Sequence, residues 1–360
     1  MHVRTVAGLA VGALLLLPAA ASAATKKVEA GPFTNSARGA LGEAAADANA
    51  FFRKTTTIHQ GDRVRFEING FHNVLFPGSE DPPPLLIPDP STPVAGVNDA
   101  AGTPFWFNGQ PTVSFNPAVA APSGGRTYDG SEMRNSGLPP EEGAPEPYTL
   151  RFPKRGRYNY LCSIHSGMTG TVNVVKRSQR IPSARADRRV ARKELQSHIE
   201  AAGELTTGED LNLTNTLQAG NDTRRGTAIF KFFPSAPTAK VGDTLTLQMP
   251  ARSSEIHTFT FGPLKAAETD PNQYVDEIAE GFATSFDPRA IYPSENPAAG
   301  LATFSGAGQH GNGYFNTGII DSDPASPLPR SMQVKLGAAG TYAFICLVHP
   351  FMRDTLTVTP

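Results

Sequence analysis

Two nine-residue stretches hold the only two cysteines of this chain, and both place the cysteine in the same company. YLCSIHSGM sets Cys162, His165 and Met168 at three-residue steps; FICLVHPFM repeats the steps with Cys346, His349 and Met352. A thiolate, an imidazole and a thioether are all metal-binding groups, and this spacing puts them in one short loop. Each copy also has a histidine upstream, after a run that opens on the turn signal Gly-Asp: GDRVRFEINGFHNVLFPG with His72, and GDTLTLQMPARSSEIHTFTFG with His257. His72 precedes Cys162 by 90 residues and His257 precedes Cys346 by 89. Such agreement marks a tandem duplication.

The flanking residues must position these groups, and they read as strands. GRYNYLC and GTYAFIC lead into the cysteines, and TGTVNVV and DTLTVTP follow the methionines. Val and Leu alternating with Thr and Asn is the pattern of a half-buried strand. In each copy the cysteine therefore ends one strand, a tight loop carries the other groups, and a last strand closes the unit. With 34 Gly and 32 Pro the chain favours turns over long helices, and 360 residues suffice for two ordinary domains.

Two imidazoles and a thiolate in a trigonal plane, with a long axial thioether, make a blue-copper electron-transfer site. Soft sulfur ligands favour Cu(I), while imidazole serves both oxidation states, so little rearranges when an electron moves. Zinc held by two cysteines and two histidines would need a second cysteine per half. A cysteine–histidine nucleophile accounts for neither the methionine nor the repeat. A disulfide between Cys162 and Cys346 suits an oxidising compartment but would be an odd use of equivalent positions in two repeats.

These residues resemble the cupredoxins, the blue copper proteins that include plastocyanin, azurin and amicyanin. The Cys-x2-His-x2-Met spacing is closest to amicyanin, and CLVHPFMRD is especially similar. Asn73 after His72 and Ser163 after Cys162 resemble plastocyanin, where the asparagine ties the ligand loops together. Thr258 and Leu347 fill those places in the second half, so its loops are expected to be held differently. The resemblance implies an all-β fold: two Greek-key β-sandwiches in tandem, at 27–175 and 222–360, joined by a helical linker at 176–221. It implies two type 1 copper ions, one on His72, Cys162, His165 and Met168, the other on His257, Cys346, His349 and Met352. It also implies that His165 and His349 are the more exposed ligands and the electron ports. Pro350 and Phe351 would add an apolar patch for transient docking of redox partner proteins.

The rest of the chain sets the context. Residues 1–23 read as a signal peptide: MHVR, then VAGLAVGALLLLPAA, then the small-residue site ASA. Export to the periplasm, cell surface or medium is expected, with no membrane span after cleavage. Removing 1–23 takes one basic residue, Arg4, from the 32 Lys+Arg and none from the 33 Asp+Glu, so the balance gives no nucleic-acid footprint. Between the halves, eight Lys or Arg stand against two acids from Lys176 to Glu194. Ser183 is a candidate N-cap and Gly203 a candidate stop, with Ala191, Leu195, Ile199 and Ala202 on one face of an amphipathic helix. Its basic face is a solvated surface or a dock for an acidic partner. Both His-to-Cys gaps are longer than in small cupredoxins. PGSEDPPPLLIPDPSTP, with seven prolines, favours extended backbone. Together with FWFNGQ and the Gly/Pro-rich segment from Ser294 to Pro329, it is expected to pack on the sandwiches and roof the sites, or to be decoration.

The leading reading is an exported one-electron carrier rather than an enzyme. The alternative, copper storage or delivery without redox turnover, uses the same ligands, but this chain has only six methionines and no Met-rich tract. An oxidase or a nitrite-reductase-like enzyme needs further copper ligands. There is no His-x-His, no histidine flanks either cysteine, and only His59, His198 and His310 remain after the signal segment, each expected to be a surface or hydrogen-bonded residue.

Overall fold

The structure is a computed structural model and describes residues 23–140, 143–206, 211, 213–265 and 273–360. The expected signal segment lies almost wholly outside the described residues. Among them, no helix is long and apolar enough to cross a membrane.

The fold is mostly β, and its sheets repeat. In the first half, one sheet runs in the order Tyr148–Arg151, Arg63–Ile68, Thr25–Ala30, Phe51–Phe52; the other runs Thr55–His59, Thr169–Val175, Gly156–Leu161, Leu75–Phe76, Arg134–Asn135. The second half matches them strand for strand. One sheet reads Ser331–Leu336, Thr244–Gln248, Thr216–Ala219, Phe232–Phe233, with Ala302–Phe304 added at its edge; the other reads Thr238–Lys240, Arg353–Thr359, Gly340–Ile345, Thr260–Phe261, Phe315–Asn316. Even the parallel pairs correspond, Thr25–Ala30 with Arg63–Ile68 and Thr216–Ala219 with Thr244–Gln248. The alternation read in the sequence is the reason: Val172 and Val174 point inward from Thr169–Val175, and Leu356 and Val358 from Arg353–Thr359. Each pair of sheets encloses its own aromatic-rich core, around Phe66, Phe76 and Tyr160 in one and Phe259, Phe261 and Phe344 in the other.

Between these sets of strands a helix spans Ala184–Leu205, capped by Ser183, whose side chain accepts from the Ala186 N–H. Of the expected face it buries Ala191, Leu195 and Ala202, with Ile199 partly buried against the same cluster and His198 buried beside them; it runs through Gly203 instead of stopping there. Arg185, Arg188, Arg189, Arg192 and Lys193 are exposed. The acid Asp187 is instead turned inward, 2.5 Å from Lys26 and paired with Arg53. The helix packs on Leu41 of a second helix, Asn35–Glu43, and on Phe52, Ile229 and Phe233. That second helix, and another at Tyr274–Ser285, lie outside the all-β expectation.

The insertions are ordered, and they cross over. Leu86–Pro93 pairs with Pro111–Phe115 as an extended hairpin. Phe105 and Phe107 then pack in a cluster with Ile278, Tyr314, Ile345 and Leu347 of the second half. The Trp106 indole N–H donates to the Pro293 carbonyl at 2.8 Å, and the Tyr292 hydroxyl to that of Pro111 at 2.7 Å. The first half's insertion therefore roofs the neighbourhood of Cys346, which Leu347 follows, and strand Ala46–Ala48 adds a direct pairing with Thr227–Ile229.

Candidate metal centre

Strand order brings the dispersed groups together. Gly156–Leu161 delivers Cys162 at its end, and Met168 stands just before Thr169–Val175, so these antiparallel neighbours hold the loop between them. Two backbone bonds close it: the Cys162 N–H donates to the Met168 carbonyl at 3.0 Å and the Met168 N–H to the His165 carbonyl at 3.1 Å. The second loop has the same bonds, Cys346 to Met352 at 3.1 Å and Met352 to His349 at 2.8 Å. His72 reaches the first loop from just before strand Leu75–Phe76, and His257 the second from strand Ile256–His257.

In the first cluster the Nδ1 atoms of His72 and His165 lie 3.0 Å apart, with the Cys162 sulfur 4.0 and 3.6 Å from them. In the second, the Nδ1 atoms of His257 and His349 are 3.2 Å apart, and the Cys346 sulfur is 3.5 and 3.8 Å away. Two imidazole nitrogens and one sulfur thus converge in each half on a point away from water, a donor set that fits one cation of borderline to soft character. Burial opposes ionisation of the Cys162 thiol, but hydrogen bonding to His165 and His72 outweighs it and holds the thiol well below its ordinary range. Cys346 is lowered in the same way by His257 and His349. Each site therefore favours the thiolate, the ligating form. Met168 and Met352 are buried and share the cores that contain Cys162 and Cys346.

The loop-to-loop brace is present in both halves, by different means. The Ser163 N–H donates to the Asn73 side-chain oxygen at 2.7 Å, and the Asn73 amide reaches the Ser163 hydroxyl at 3.4 Å. In the second half the Leu347 N–H donates to the Thr258 hydroxyl at 2.8 Å. The second half's loops are thus held differently, with one threonine oxygen in place of the asparagine's. The Thr258 N–H also points at the Cys346 sulfur, at 3.4 Å.

Of the two expected ports, His165 is buried and His349 is partly buried. His165 is 7 % exposed, and its Nε2 lies 3.5 Å from a Glu255 oxygen; the Nε2 of His349 lies 3.5 Å from the other oxygen of the same carboxylate. Each is the more exposed histidine of its pair, as expected, since His72 is 1 % and His257 0 % exposed, but each outer nitrogen meets a buried carboxylate rather than open solvent. Phe351 is exposed and Pro350 partly so, with the Phe351 ring 6.0 Å from that of His349. Burial works against protonating His165 and His349, but Glu255 and the cysteines raise them to about 9 and about 10. The Glu255 carboxylate, though buried, is held below the usual range by His165 and His349.

Several residues outside the expected set support the sites. Gly31 and Gly220, both at φ +79°, back the upstream histidines; a Cβ on Gly31 would stand 2.7 Å from the His72 Nε2, and one on Gly220 3.0 Å from that of His257. Asn135 and Asn316 sit in NSG and NTG turns. Each side-chain amide donates to three carbonyls of a short helical turn, those of Ala118, Val119 and Ala121 in one half and of Arg289, Ala290 and Tyr292 in the other. The hydroxyl of the next residue accepts the N–H of Val74 or Phe259, so both turns anchor the strands that follow the upstream histidines.

No protein-family model matches the chain, and no curated protein matches it. Among solved structures it is similar to cupredoxins at low identity. Oxidised plastocyanin from Dryopteris crassirhizoma is 18% identical, covering 40% of this chain and 99% of that one, with a TM-score of 0.21. Auracyanin A, a "blue" copper protein from Chloroflexus aurantiacus, is 17% identical over 40% of this chain and 96% of its own, with a TM-score of 0.24. A reduced amicyanin variant is 16% identical over 42% and 88%, with a TM-score of 0.21.

Proposed function

We propose that this chain is an exported blue-copper protein that binds one type 1 copper per half and carries single electrons between extracytoplasmic redox proteins. On this reading 1–23 is removed on export, 27–175 and 222–360 are tandem cupredoxin-like domains, and 176–221 connects them. The observation that carries it is the repeated His–Cys–His triad, buried and convergent through Nδ1, Nδ1 and Sγ in both halves. His72, Cys162, His165 and Met168 would hold the first ion; His257, Cys346, His349 and Met352 would hold the second. When bound, copper supplies a reversible one-electron couple. The chain contributes a preformed ligand frame, braced by Asn73 and Thr258, so that few ligand bonds rearrange with oxidation state.

The remaining histidines support a carrier over an enzyme, since each has another occupation. His59 faces the Gln179 carbonyl at 2.9 Å, His198 the Thr227 hydroxyl at 2.8 Å, and His310 lies between Asp99 and Glu295 at 3.0 and 2.8 Å. Visible and EPR spectra of the copper-loaded protein, with metal stoichiometry, test the reading. Two blue coppers that cycle reversibly are expected. Two ions bound without reversible cycling would favour storage or delivery, a further type 2 signal would favour an enzyme, and absence of an intense visible band would overturn the assignment.

A further inference from the structure

Among the described residues, Glu255 is the one carboxylate that touches both clusters. It is 8 % exposed, and its two oxygens are 3.5 Å from the Nε2 of His165 and of His349. A buried carboxylate is costly unless charged or hydrogen-bonding groups surround it. Here those groups are the outer nitrogens of two histidines whose inner nitrogens face the two triads. An imidazole that ligates through Nδ1 keeps its proton on Nε2, and a carboxylate at Nε2 fixes that tautomer and the ring orientation. Glu255 stands at ion-pair distance from both outer nitrogens at once, where it can favour that tautomer at both sites. It is itself fixed: the Asn49 amide donates to one oxygen at 2.5 Å and to the Ser254 hydroxyl at 2.9 Å, and the Glu255 N–H donates to the Ser253 hydroxyl at 2.9 Å. The facing loop is pinned too, by the Ser166 hydroxyl on Asp323 at 2.8 Å. Asn49 and Ser166 come from the first half, Glu255 and Asp323 from the second, so the junction is built around this contact.

Resting on the two-copper reading above, we propose that the two sites form an internal redox pair joined through His165, Glu255 and His349, with Glu255 as a positioning residue shared by both. One electron leaves one site and arrives at the other within the chain. No bond forms or breaks, both Nε2 protons stay on their nitrogens, and the carboxylate is not oxidised. The asymmetry of the repeat agrees with this assignment. The position two residues before the upstream histidine is Glu255 in the second half and Gly70 in the first, so one carboxylate serves both sites.

The test uses the full chain. Chelator competition measures copper affinity at the first site in Cys346→Ser and at the second in Cys162→Ser, each with and without Glu255→Gln. Loss of an outer-shell carboxylate lowers metal affinity by about 10- to 100-fold, and here the loss is expected at both sites. In the fully loaded protein, redistribution of a single injected electron should be independent of protein concentration and markedly slower in Glu255→Gln. Asn49→Ala, which frees Glu255 without touching either triad, should act in the same direction, and it keeps the test open if Glu255→Gln folds poorly. An effect on the second site alone or on neither, or redistribution that ignores both substitutions, overturns the proposal. If the unsubstituted chain never takes up two blue coppers, it is the proposed function that fails instead.

Discussion

Thr258→Val isolates the brace of the second site. Valine matches threonine in shape and removes only the hydroxyl. That hydroxyl accepts the Leu347 N–H at 2.8 Å and meets the Thr260 hydroxyl at 3.0 Å. Thr260 keeps its own acceptor, the Asn316 oxygen at 2.8 Å, so the change orphans one group, the Leu347 amide. Thr258 is fully buried and Leu347 is 1 % exposed, so water does not replace the lost oxygen. Leaving a buried donor unsatisfied costs about 1–3 kcal/mol, which corresponds to about 5- to 150-fold faster opening of that amide. Hydrogen–deuterium exchange resolved at Leu347 reads this directly, with Ser163 as an internal control because its tie runs to Asn73. The expected result is faster exchange at Leu347, unchanged exchange at Ser163, and an altered visible band from the second site alone. Unchanged protection at Leu347 would refute the role given to Thr258, and equal acceleration at both amides would refute the claim that the two braces are independent.

Cys162→Ser and Cys346→Ser should each remove one of two blue absorptions and leave the far-ultraviolet circular dichroism largely intact; intense absorption surviving in the double variant would sink the ligand assignment. Burial pushes His198 down to about 4 from its ordinary 6.5. Between those values the unfolded chain binds a proton that the folded chain refuses, so stability is full above pH 6.5 and falls by up to about 3 kcal/mol as pH drops towards 4. Urea unfolding of His198→Gln should lack that part of the acid loss, and identical pH profiles for variant and parent would contradict it. Asn316→Ala strips the Ala290 and Tyr292 carbonyls of this donor and the Thr260 hydroxyl of its acceptor, while the Arg289 carbonyl keeps the Tyr314 hydroxyl, and should cost about 3 kcal/mol in thermal unfolding, since each buried group left unpaired costs about 1–3 kcal/mol; a loss within error of zero would show that water replaces the amide.

What could be read from the sequence was whatever depends on residues near one another in the chain. The strand before each cysteine and the strand after each methionine follow from period-two alternation, and the triads follow from a repeated Cys-x2-His beside a repeated upstream histidine. The helix start at Ser183 was legible as a cap, while its end was not, since an open Gly203 costs a helix only about 1 kcal/mol. The place of Thr258 was legible from its position after His257, but the bond it makes was not: a threonine hydroxyl offers the same acceptor to the same amide as an asparagine oxygen does. Gly31 with Gly220, and Asn135 with Asn316, did carry a signal, the paired EAG/QAG and NSG/NTG triplets, but those short matches lay far from the ligand loops or inside the insertions.

Glu255 belongs to a different category. Its meaning depends on how the halves meet, and no spacing within either half encodes that. Three features of the junction fix it independently: strand Ala46–Ala48 pairs with Thr227–Ile229, the Phe105–Phe107 segment packs on Leu347, and Ser166 bonds Asp323. All three join the first half to the second near a ligand loop. Two freely hinged electron carriers would gain nothing from such contacts, and they would leave His165 and His349 open to separate partners. Setting the buried His165 and the partly buried His349 against one carboxylate restricts that access. The arrangement makes physical sense if electrons enter or leave by a route other than these two imidazole edges, with the exposed ring of Phe351 beside the second site the nearest apolar surface to consider.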